Sequence, residues 1–226
     1  MVDAVNYESL KRLSLDLGAS LFGVARVESL RERIFSLSPQ GIDSLPYAIS
    51  LAVRLSDRIL EDIQDGPTPL YFFHYQRVNI LLDEMALRIT THIQNQGFNA
   101  LPIPASQVID WERQLGHLSH KHVAKEAGLG WIGRHNLLVS PTFGARIRLV
   151  SILTDIPLKQ DKPIGRDCGT CNACIPVCPV GAIVEEPLDF DHIRCYEWIK
   201  AFCRKHNIRH HICGLCIKAC PGMERP

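Results

Sequence analysis

Cysteine spacing is the strongest chemical signal in this sequence. All nine cysteines lie between Cys168 and Cys220. Most of them form two runs, Cys168-x2-Cys171-x2-Cys174-x3-Cys178-Pro179 and Cys213-x2-Cys216-x3-Cys220-Pro221. The first run has the ligand spacing of bacterial two-cluster iron–sulfur proteins, in which the fourth cysteine binds the other of two [4Fe–4S] clusters. The spacing therefore predicts two [4Fe–4S] clusters and a role in electron transfer.

The same spacing assigns most ligands to individual clusters. Three closely spaced thiolates wrap one face of a cubane, and the fourth ligand comes from elsewhere in the chain. The predicted ligands of cluster one are Cys168, Cys171, Cys174 and Cys220. Those of cluster two are Cys178, Cys213, Cys216 and one further residue, for which the spacing leaves Cys195, Cys203 and His210 open.

Two other uses of cysteine fit the sequence less well. Structural zinc sites use paired C-x2-C units, whereas this chain has three evenly spaced cysteines followed by x3-Cys-Pro. A disulfide scaffold needs an oxidising compartment, and the N-terminus does not resemble a signal peptide. No apolar run approaches the ~20 residues that span a bilayer. We therefore expect a cytoplasmic location and no membrane association.

Hydrophobic periodicity predicts alternating helices and strands ahead of the cysteines. The predicted helices cover residues 10–17, a charged stretch through Leu30 and Ile34, and residues 71–96, with apolar positions at Ile80, Leu81, Met85, Leu87, Ile89 and Ile93. The predicted strands cover 21–27, 48–55, 137–140 and 147–154, the last two joined by a turn at 141–144. Proline and glycine among charges indicate a linker at 155–167, and a further helix follows over 189–205. The sequence thus predicts an α/β domain over 1–157 and a double [4Fe–4S], ferredoxin-like domain over 158–226.

A glycine-dense segment, Ala127-Gly-Leu-Gly-Trp-Ile-Gly133, precedes the cysteines. Glycine permits positive φ and close backbone approach. The segment is not a G-x-G-x-x-G motif following a strand, so the sequence does not favour a cofactor loop. A tight helix-to-strand turn fits it equally well.

Combined with Asn136-Leu-Leu-Val-Ser140, Ile152-Leu-Thr-Asp155, the cysteine runs and Arg194-Cys195, this segment resembles the epoxyqueuosine reductases, which are cobalamin-dependent and related to reductive dehalogenases. The resemblance implies a nitroreductase-like α/β domain that binds cobalamin beside the clusters. It also implies Cys195 as the last ligand of cluster two. The cobalamin contacts it implies are Gly128, Gly130, Trp131, Gly133, Ser140, Leu153 and Thr154.

The proton donor is harder to place. Where the family carries an aspartate ahead of the glycine segment, this chain has Gln114. We predict Asp110 as the acid, with Glu112 and His117 as substitutes, although each also fits an ordinary surface group. His117, His120 and His122 resemble a metal site, since the first two would share a helix face, but no carboxylate or cysteine accompanies them.

The resemblance predicts an oxidoreductase whose clusters are loaded by a low-potential donor, ferredoxin or flavodoxin, and in turn reduce the corrinoid. Two alternatives are a corrinoid-reducing protein without its own substrate and a two-cluster electron carrier with a docking domain. Full-length members of the family continue into a helical-repeat domain that helps to hold tRNA, whereas this chain stops soon after Cys220. With a net charge of +1, we expect a short form that acts on a small molecule or a corrinoid protein rather than on tRNA.

Overall fold

The computed structural model describes residues 2–35 and 37–222, with the backbone alone at residues 39 and 40. The elements of this part of the chain follow in the order α1 (Val2–Asp16), β1 (Leu21–Arg26), a 3-10 helix (Val27–Arg33), α2 (Pro39–Asp43), β2 (Tyr47–Arg54), α3 (Asp57–Glu61), α4 (Pro69–Gln94), β3 (Ala100–Ile103), α5 (His120–Glu126), β4 (Trp131–Ile132), β5 (Leu138–Val139), β6 (Ile147–Thr154), a second 3-10 helix (Pro187–Asp189), α6 (His192–Lys205) and α7 (Leu215–Lys218). The predicted mixed α/β class is confirmed.

The chain forms two compact units that interleave along the sequence. The first comprises the described residues of 1–54, 79–130 and 148–164, and the second those of 55–78, 131–147 and 165–226. Every cysteine lies in the second unit. A single domain boundary after residue 157 stays a prediction.

A four-stranded sheet forms the centre of the first unit, in the order β1-β2-β6-β3. Strands β1 and β2 pair antiparallel with Val24 opposite Ile49, and β3 pairs antiparallel with β6, placing Leu101 opposite Leu153. The side chains of β2 from Ala48 to Val53 are buried, as its nearly continuous apolar run predicts. Helices α1 and α5 pack against β1, and α5 also against β2. Gly23 in β1 allows this packing, because a β-carbon there would overlap the carbonyl oxygen of Ala127 at the end of α5.

The long helix is confirmed as α4, with bounds within two residues of those predicted. Its buried face carries Leu82, Met85, Ile89 and Ile93. Two of the predicted apolar positions, Ile80 and Leu87, instead lie on the exposed face.

The charged helix predicted after β1 is present as a 3-10 helix. One local prediction needs correction. The strands near residues 139 and 150 do not form a hairpin, because β5 pairs with β4 in a separate two-stranded sheet whereas β6 joins the four-stranded sheet. The turn between them closes locally, through reciprocal backbone hydrogen bonds of 2.9 Å between Ser140 and Gly144.

The predicted linker at 155–167 lacks regular secondary structure, but its first part is packed. Ile156 and Leu158 are buried in the first unit. The Asp161 carboxylate accepts hydrogen bonds from the Tyr7 hydroxyl and, at 2.9 Å, from the backbone N–H of Val24. This segment is therefore anchored against α1 and β1. No helix in the described part of the chain is long and apolar enough to cross a membrane.

Candidate metal centre

The cysteines predicted as cluster ligands lie on three stretches of the second unit. Cys168, Cys171, Cys174 and Cys178 follow one another on a loop closed by short backbone turns, such as that from Cys171 N–H to Cys168 O at 2.9 Å. Cys195 lies in the first turn of α6, which starts where the Asp191 side chain accepts from Arg194 N–H at 2.9 Å. Cys213, Cys216 and Cys220 lie on and around α7. All nine cysteines are free thiols, so no disulfide competes for them.

One group of thiols joins the start of the loop to the end of the chain. Burial, together with the nearby thiols of Cys220 and Cys168, raises the pKa of Cys174 to about 11. Burial also raises the pKa of Cys220, to which Cys168 and Cys171 contribute. Each of these four thiols therefore lies close enough to another of the four for one to change the pKa of the other. The fold brings Cys220 to the loop despite its distance along the chain.

A second group forms around the remaining ligand positions. Burial raises the pKa of Cys195 to about 11, with Cys178 as the next contributor. Burial, together with the thiols of Cys195 and Cys178, raises the pKa of Cys213 to about 12. Cys216 has its pKa raised well above the ordinary value, mainly by burial and then by the thiols of Cys213, Cys195, Cys174 and Cys178. Because their pKa values are raised, these thiols are protonated when no metal is bound. They must therefore release protons when they bind iron.

The three residues left open by spacing have different surroundings. The Cys203 thiol is 2% exposed and donates to the carbonyl of Ile212 at 3.3 Å, as a protonated buried thiol does. The His210 ring lies 5.6 Å from the rings of Phe72 and Tyr75, and its Nδ1 is 2.7 Å from the Arg209 carbonyl. The Cys178 thiol contributes to the raised pKa of Cys195, and the thiols of Cys195 and Cys203 both contribute to that of Cys213.

No three His, Cys, Asp or Glu side chains of the described residues converge as ligands of one metal ion would. A tetrahedral zinc site needs four donors at about 2.0–2.3 Å from one centre. In a cubane each thiolate binds a different iron atom, so the sulfurs need not converge on one point.

Basic side chains that the spacing does not reveal hold the cysteine segments. Arg134 donates from Nε to Asn172 Oδ1 at 2.9 Å and from Nη2 to the Gly169 carbonyl at 2.8 Å, both between ligands of the loop. Arg146 joins the Asp57 carboxylate (2.8 Å) to the carbonyl of Lys218 (2.5 Å). Lys218 in turn donates to the carbonyls of Glu61 and Ile63, at 2.9 and 2.6 Å. These bonds fix α7 against the segment around α3.

Two glycines with positive φ allow close packing beside ligands. Gly144 has φ +57°, and a β-carbon there would overlap the carbonyl oxygen of Cys220. Gly214, between Cys213 and Cys216, has φ +93°, and a β-carbon would lie 2.5 Å from Ile63 Cδ1. A side chain at residue 144 would require backbone movement, whereas one at residue 214 would displace the side chains of Ile63 and Tyr71.

The predicted cobalamin contacts in the first unit have structural partners. Gly128 has φ +71° in the turn after α5, where a β-carbon would lie 2.6 Å from the Lys162 carbonyl. Leu153 is fully buried on β6. The Thr154 hydroxyl donates to Asn99 O at 2.7 Å and accepts from Ile156 N–H at 3.1 Å. Gly130 is the last residue of this stretch of the first unit.

Of the contacts predicted in the second unit, Trp131 is the informative one. Its indole N–H is buried and has no hydrogen-bond partner among the described residues. Gly133 lies close to Val139, since a β-carbon would be 2.7 Å from its Cγ2. The Ser140 hydroxyl accepts from Phe143 N–H at 2.9 Å and so helps to close the 140–144 turn. The glycine-dense segment is thus a helix-to-strand turn that leads into β4.

The predicted acid lies in a tight loop of the first unit. Asp110 Oδ1 accepts the backbone N–H groups of Glu112 (3.0 Å) and Arg113 (2.9 Å), and the backbone of Asp110 pairs with Leu115. Glu112 is exposed. Gln114, at the family's aspartate position, has φ +55° and bonds to the Trp111 carbonyl. The carboxylate of Asp110 therefore shapes this loop.

The three histidines do not form a metal site. His117 precedes α5, so the prediction that it shares a helix face with His120 is wrong. Both ring nitrogens of His120 are used, Nδ1 with Ser151 Oγ at 2.9 Å and Nε2 with Pro104 O at 3.0 Å. Burial lowers the pKa of His120 to about 4 and also that of His122, whose Nδ1 bonds to Ser119 Oγ at 2.6 Å.

Several curated proteins have sequences similar to this chain. No protein-family model matches the chain. An epoxyqueuosine reductase of Aliivibrio fischeri is 43% identical over 214 residues, which cover 88% of this chain and 52% of that protein. Another curated relative of this name, from Listeria monocytogenes, is 41% identical over 71 residues and matches over 19% of its length. The chain thus spans about half, or less, of the curated relatives it matches.

Solved structures show the fold. The epoxyqueuosine reductase from Streptococcus thermophilus aligns with a TM-score of 0.65 and 20% identity, over 97% of this chain and 67% of that one. A reductive dehalogenase, whose structure suggests a mechanism for B12-dependent dehalogenation, aligns with a TM-score of 0.72 and 21% identity, over 97% of this chain and 32% of that one. The predicted resemblance to epoxyqueuosine reductases and reductive dehalogenases is confirmed. The relatives' names support an oxidoreductase.

Proposed function

We propose, from its similarity to epoxyqueuosine reductases, that this chain is an iron–sulfur oxidoreductase that passes electrons through two [4Fe–4S] clusters to a corrinoid. The observation that carries the proposal is that thiols from the loop, from α6 and from the α7 segment lie near enough in the second unit to raise one another's pKa. In this proposal a nitroreductase-like α/β domain over 1–157 precedes a ferredoxin-like domain over 158–226. The protein works in the cytoplasm.

The cluster ligands follow from the two groups. Cluster one is held by Cys168, Cys171, Cys174 and Cys220, and cluster two by Cys178, Cys195, Cys213 and Cys216. Support for Cys195 comes from its neighbours Cys178 and Cys213, and from the other bonds that Cys203 and His210 make. The exchange of one ligand between the runs gives each cluster thiolates from both ends of the module.

The protein's own groups would stabilise the anionic thiolates. The backbone N–H of Ala182 donates to Cys178 Sγ at 3.3 Å, and such hydrogen bonds to ligand sulfur tune the potential of iron–sulfur centres. Arg134 places a cation on the loop that carries the first ligands. When bound, the clusters carry single electrons and the corrinoid supplies cobalt for reductive chemistry.

The buried indole of Trp131 is the observation that fits a corrinoid. A buried N–H without a partner costs stability unless a ligand or water accepts it. A corrin carries amide carbonyls at its edge, which are acceptors of the required kind. We propose Gly128, Gly130, Trp131, Gly133, Ser140, Leu153 and Thr154 as residues near the corrinoid. Most of these residues would contact the corrinoid through backbone atoms or apolar side chains rather than through a polar side chain.

The partners follow from this chemistry. The electron donor in this proposal is a low-potential carrier, ferredoxin or flavodoxin. The acceptor is a small molecule or a corrinoid protein. A net charge of +1 offers little attraction to a polyanion, which argues against tRNA.

Iron content and ligand variants test the clusters. Reconstituted protein should bind about eight iron atoms and, when reduced, give the EPR signals of two [4Fe–4S] centres. Cys195→Ser should lose about half of this iron, whereas the matched variant Cys203→Ser should keep all of it. Iron loss in Cys203→Ser with full iron in Cys195→Ser would overturn the assignment.

Anaerobic titration with cob(II)alamin tests the corrinoid. We expect a changed cobalt EPR spectrum at stoichiometric loading in the reconstituted protein. Trp131→Phe, which keeps the ring but removes the N–H donor, should weaken binding while the iron content stays constant. An unchanged spectrum of free cobalamin would refute the corrinoid part of the proposal and leave a two-cluster electron carrier.

One observation favours a second candidate, a corrinoid-reducing protein without its own substrate. The predicted acid Asp110 uses one carboxylate oxygen to close its own loop, and Gln114 occupies the family's aspartate position. Turnover assays with cobalamin-loaded protein separate the candidates. If Asp110→Asn removes turnover, the enzyme is supported, whereas reduction of a corrinoid-protein partner without substrate turnover supports the second candidate.

A further inference from the structure

Positive charge is concentrated in helix α6 and the residues that follow it. Residues 192–211 contain one carboxylate, that of Glu197, and five cations: Arg194, Lys200, Arg204, Lys205 and Arg209. This stretch therefore has a net charge of +4, whereas the whole chain has a net charge of +1 and the remaining residues together have −3. Such a local field attracts a negatively charged partner to one part of the surface.

Helix α6 packs in the second unit through one side and exposes the other. The Cys203 side chain is buried, and a β-carbon on Gly66 would overlap the ring of Phe202. All five cations, by contrast, are exposed. They form, with Ala201 and Glu197, the basic face of α6.

Few carboxylates neutralise this basic face. Arg194 lies 3.9 Å from Asp191 and is 59% exposed, and Lys200 lies 3.6 Å from Glu197 and is 53% exposed. In the described part of the chain, the other three cations form no ion pair. The basic face therefore retains charge that a partner can contact.

The C-terminal half of α6 is joined to the segment that carries ligands of the proposed cluster two. The Cys203 thiol donates a hydrogen bond to the carbonyl of Ile212, the residue before Cys213, at 3.3 Å. Cys195, another proposed ligand, lies in the first turn of the same helix. The basic face thus lies beside cluster two without containing its ligands.

The direction of the cations does not suit them to balance the negative charge of the cluster. At 3.6 residues per turn, Arg204 lies about 180° around the helix from Cys195, and Lys200 about 140°. Cations that compensated the cluster would lie on the side of Cys195. A partner in solution accounts better for cations on the opposite side.

We propose that the basic face of α6 docks a small acidic one-electron carrier protein, of the ferredoxin or flavodoxin type, beside cluster two. This inference rests on the proposed function, because a cluster must accept the electron. In the transfer the reduced carrier loses one electron and the cluster gains it, and no bond or proton changes place. The position beside a redox centre favours an electron carrier over a nucleic acid, which has no need of one.

Binding and reduction by a ferredoxin test the proposal. In calorimetric titration of the reconstituted protein with oxidised ferredoxin, Arg204→Glu should raise the dissociation constant about tenfold. In anaerobic stopped flow with reduced ferredoxin, the same variant should lower the second-order rate constant by about tenfold, and the wild-type rate should fall steeply with added salt. Ala201→Glu, which adds a carboxylate to the basic face, should act in the same direction. Arg204→Lys keeps the charge and should keep the wild-type values.

Two controls separate docking from other effects of charge. Arg12→Glu changes the net charge by the same amount at an exposed position of α1 in the first unit, and it should leave binding and rate unchanged. Photoreduced deazariboflavin is a small neutral reductant. It should reduce every variant at the wild-type rate, which shows that the clusters are intact.

Equal losses in Arg204→Glu and Arg12→Glu would overturn the proposal, as would ferredoxin reduction that neither Arg204→Glu nor Ala201→Glu slows. If Arg204→Glu abolishes binding of an RNA stem-loop and leaves ferredoxin reduction unchanged, the basic face belongs to a nucleic acid instead. Failure of the proposed function gives a different result, because deazariboflavin would then find no cluster to reduce in the wild-type protein.

Discussion

Gly144 should be far less tolerant of a methyl group than Gly181, another glycine of the second unit. Its φ is +57°, and an added β-carbon would overlap the carbonyl oxygen of Cys220 and the backbone nitrogen of Gly222. Those backbone atoms cannot rotate away as a flexible side chain would. Gly181 is a matched control, because its φ is +62° and nothing lies within 4 Å of the same added atom.

The two variants separate backbone strain from steric overlap. A left-handed conformation costs an L-residue about 1–2 kcal/mol, and both Gly144→Ala and Gly181→Ala incur this cost. The overlap at Gly144 forces a backbone shift, for which overpacking data indicate about 1–3 kcal/mol more. We therefore expect Gly144→Ala to lose about 2–5 kcal/mol of unfolding free energy, and Gly181→Ala about 1–2 kcal/mol.

Anaerobic urea unfolding of the reconstituted variants, followed by circular dichroism, measures these losses. Cluster absorbance provides a second readout. Because the shift at Gly144 displaces Cys220, Gly144→Ala should also release iron faster than Gly181→Ala. If the two variants lose equal free energy and release iron at equal rates, the close approach of residue 144 to Cys220 does not exist in solution.

Three further predictions concern single contacts. Arg134→Ala removes the bonds to Asn172 and Gly169 and should accelerate iron release to a chelator, whereas unchanged release would show that the clamp is dispensable. Tyr7→Phe removes the hydroxyl that donates to Asp161 and should cost about 1 kcal/mol in urea unfolding, because the ring contact with Phe22 remains. His120 has a folded-state pKa of about 4 against 6.5 when unfolded, so protonation favours the unfolded chain and stability should fall between pH 6.5 and 4, by at most about 1.4 kcal/mol per pH unit. His120→Gln should flatten this part of the pH profile, and an unchanged profile would contradict the assignment.

Long periodic signals made parts of the fold predictable. Helix α4 repeats its buried positions over 26 residues, so its bounds were predicted within two residues. The same pattern did not distinguish Ile80 and Leu87, which are apolar but exposed, because apolarity does not reveal what covers a residue. The pairing of β5 with β4 was missed because it depends on two-residue strands that carry no periodicity. Helices as short as α3 and α7 lack a periodic signal for the same reason.

The cluster ligands were easier to predict from the sequence than the residues that hold the cysteine segments in place. Cluster spacing is local and specific, so the sequence alone grouped Cys220 with the distant loop. The supporting bonds of Arg134, Arg146 and Lys218 end largely on backbone carbonyls. Because every residue has a backbone carbonyl, the residue types do not indicate which carbonyl will accept a hydrogen bond from an Arg or Lys side chain. The resemblance to a family indicated a corrinoid, but only the fold shows that the Trp131 indole lacks a partner.

The interleaved composition of the second unit has a consequence for biosynthesis. Residues 55–78 emerge from the ribosome well before residues 165–226, against which part of them packs, as the contacts of Lys218 with Glu61 and Ile63 show. At about 5–20 residues per second, the early segment waits several seconds for its partner. During that interval the aromatic face later occupied by His210 has no native cover. Chaperone demand on the nascent chain should therefore peak before the first cysteine is made.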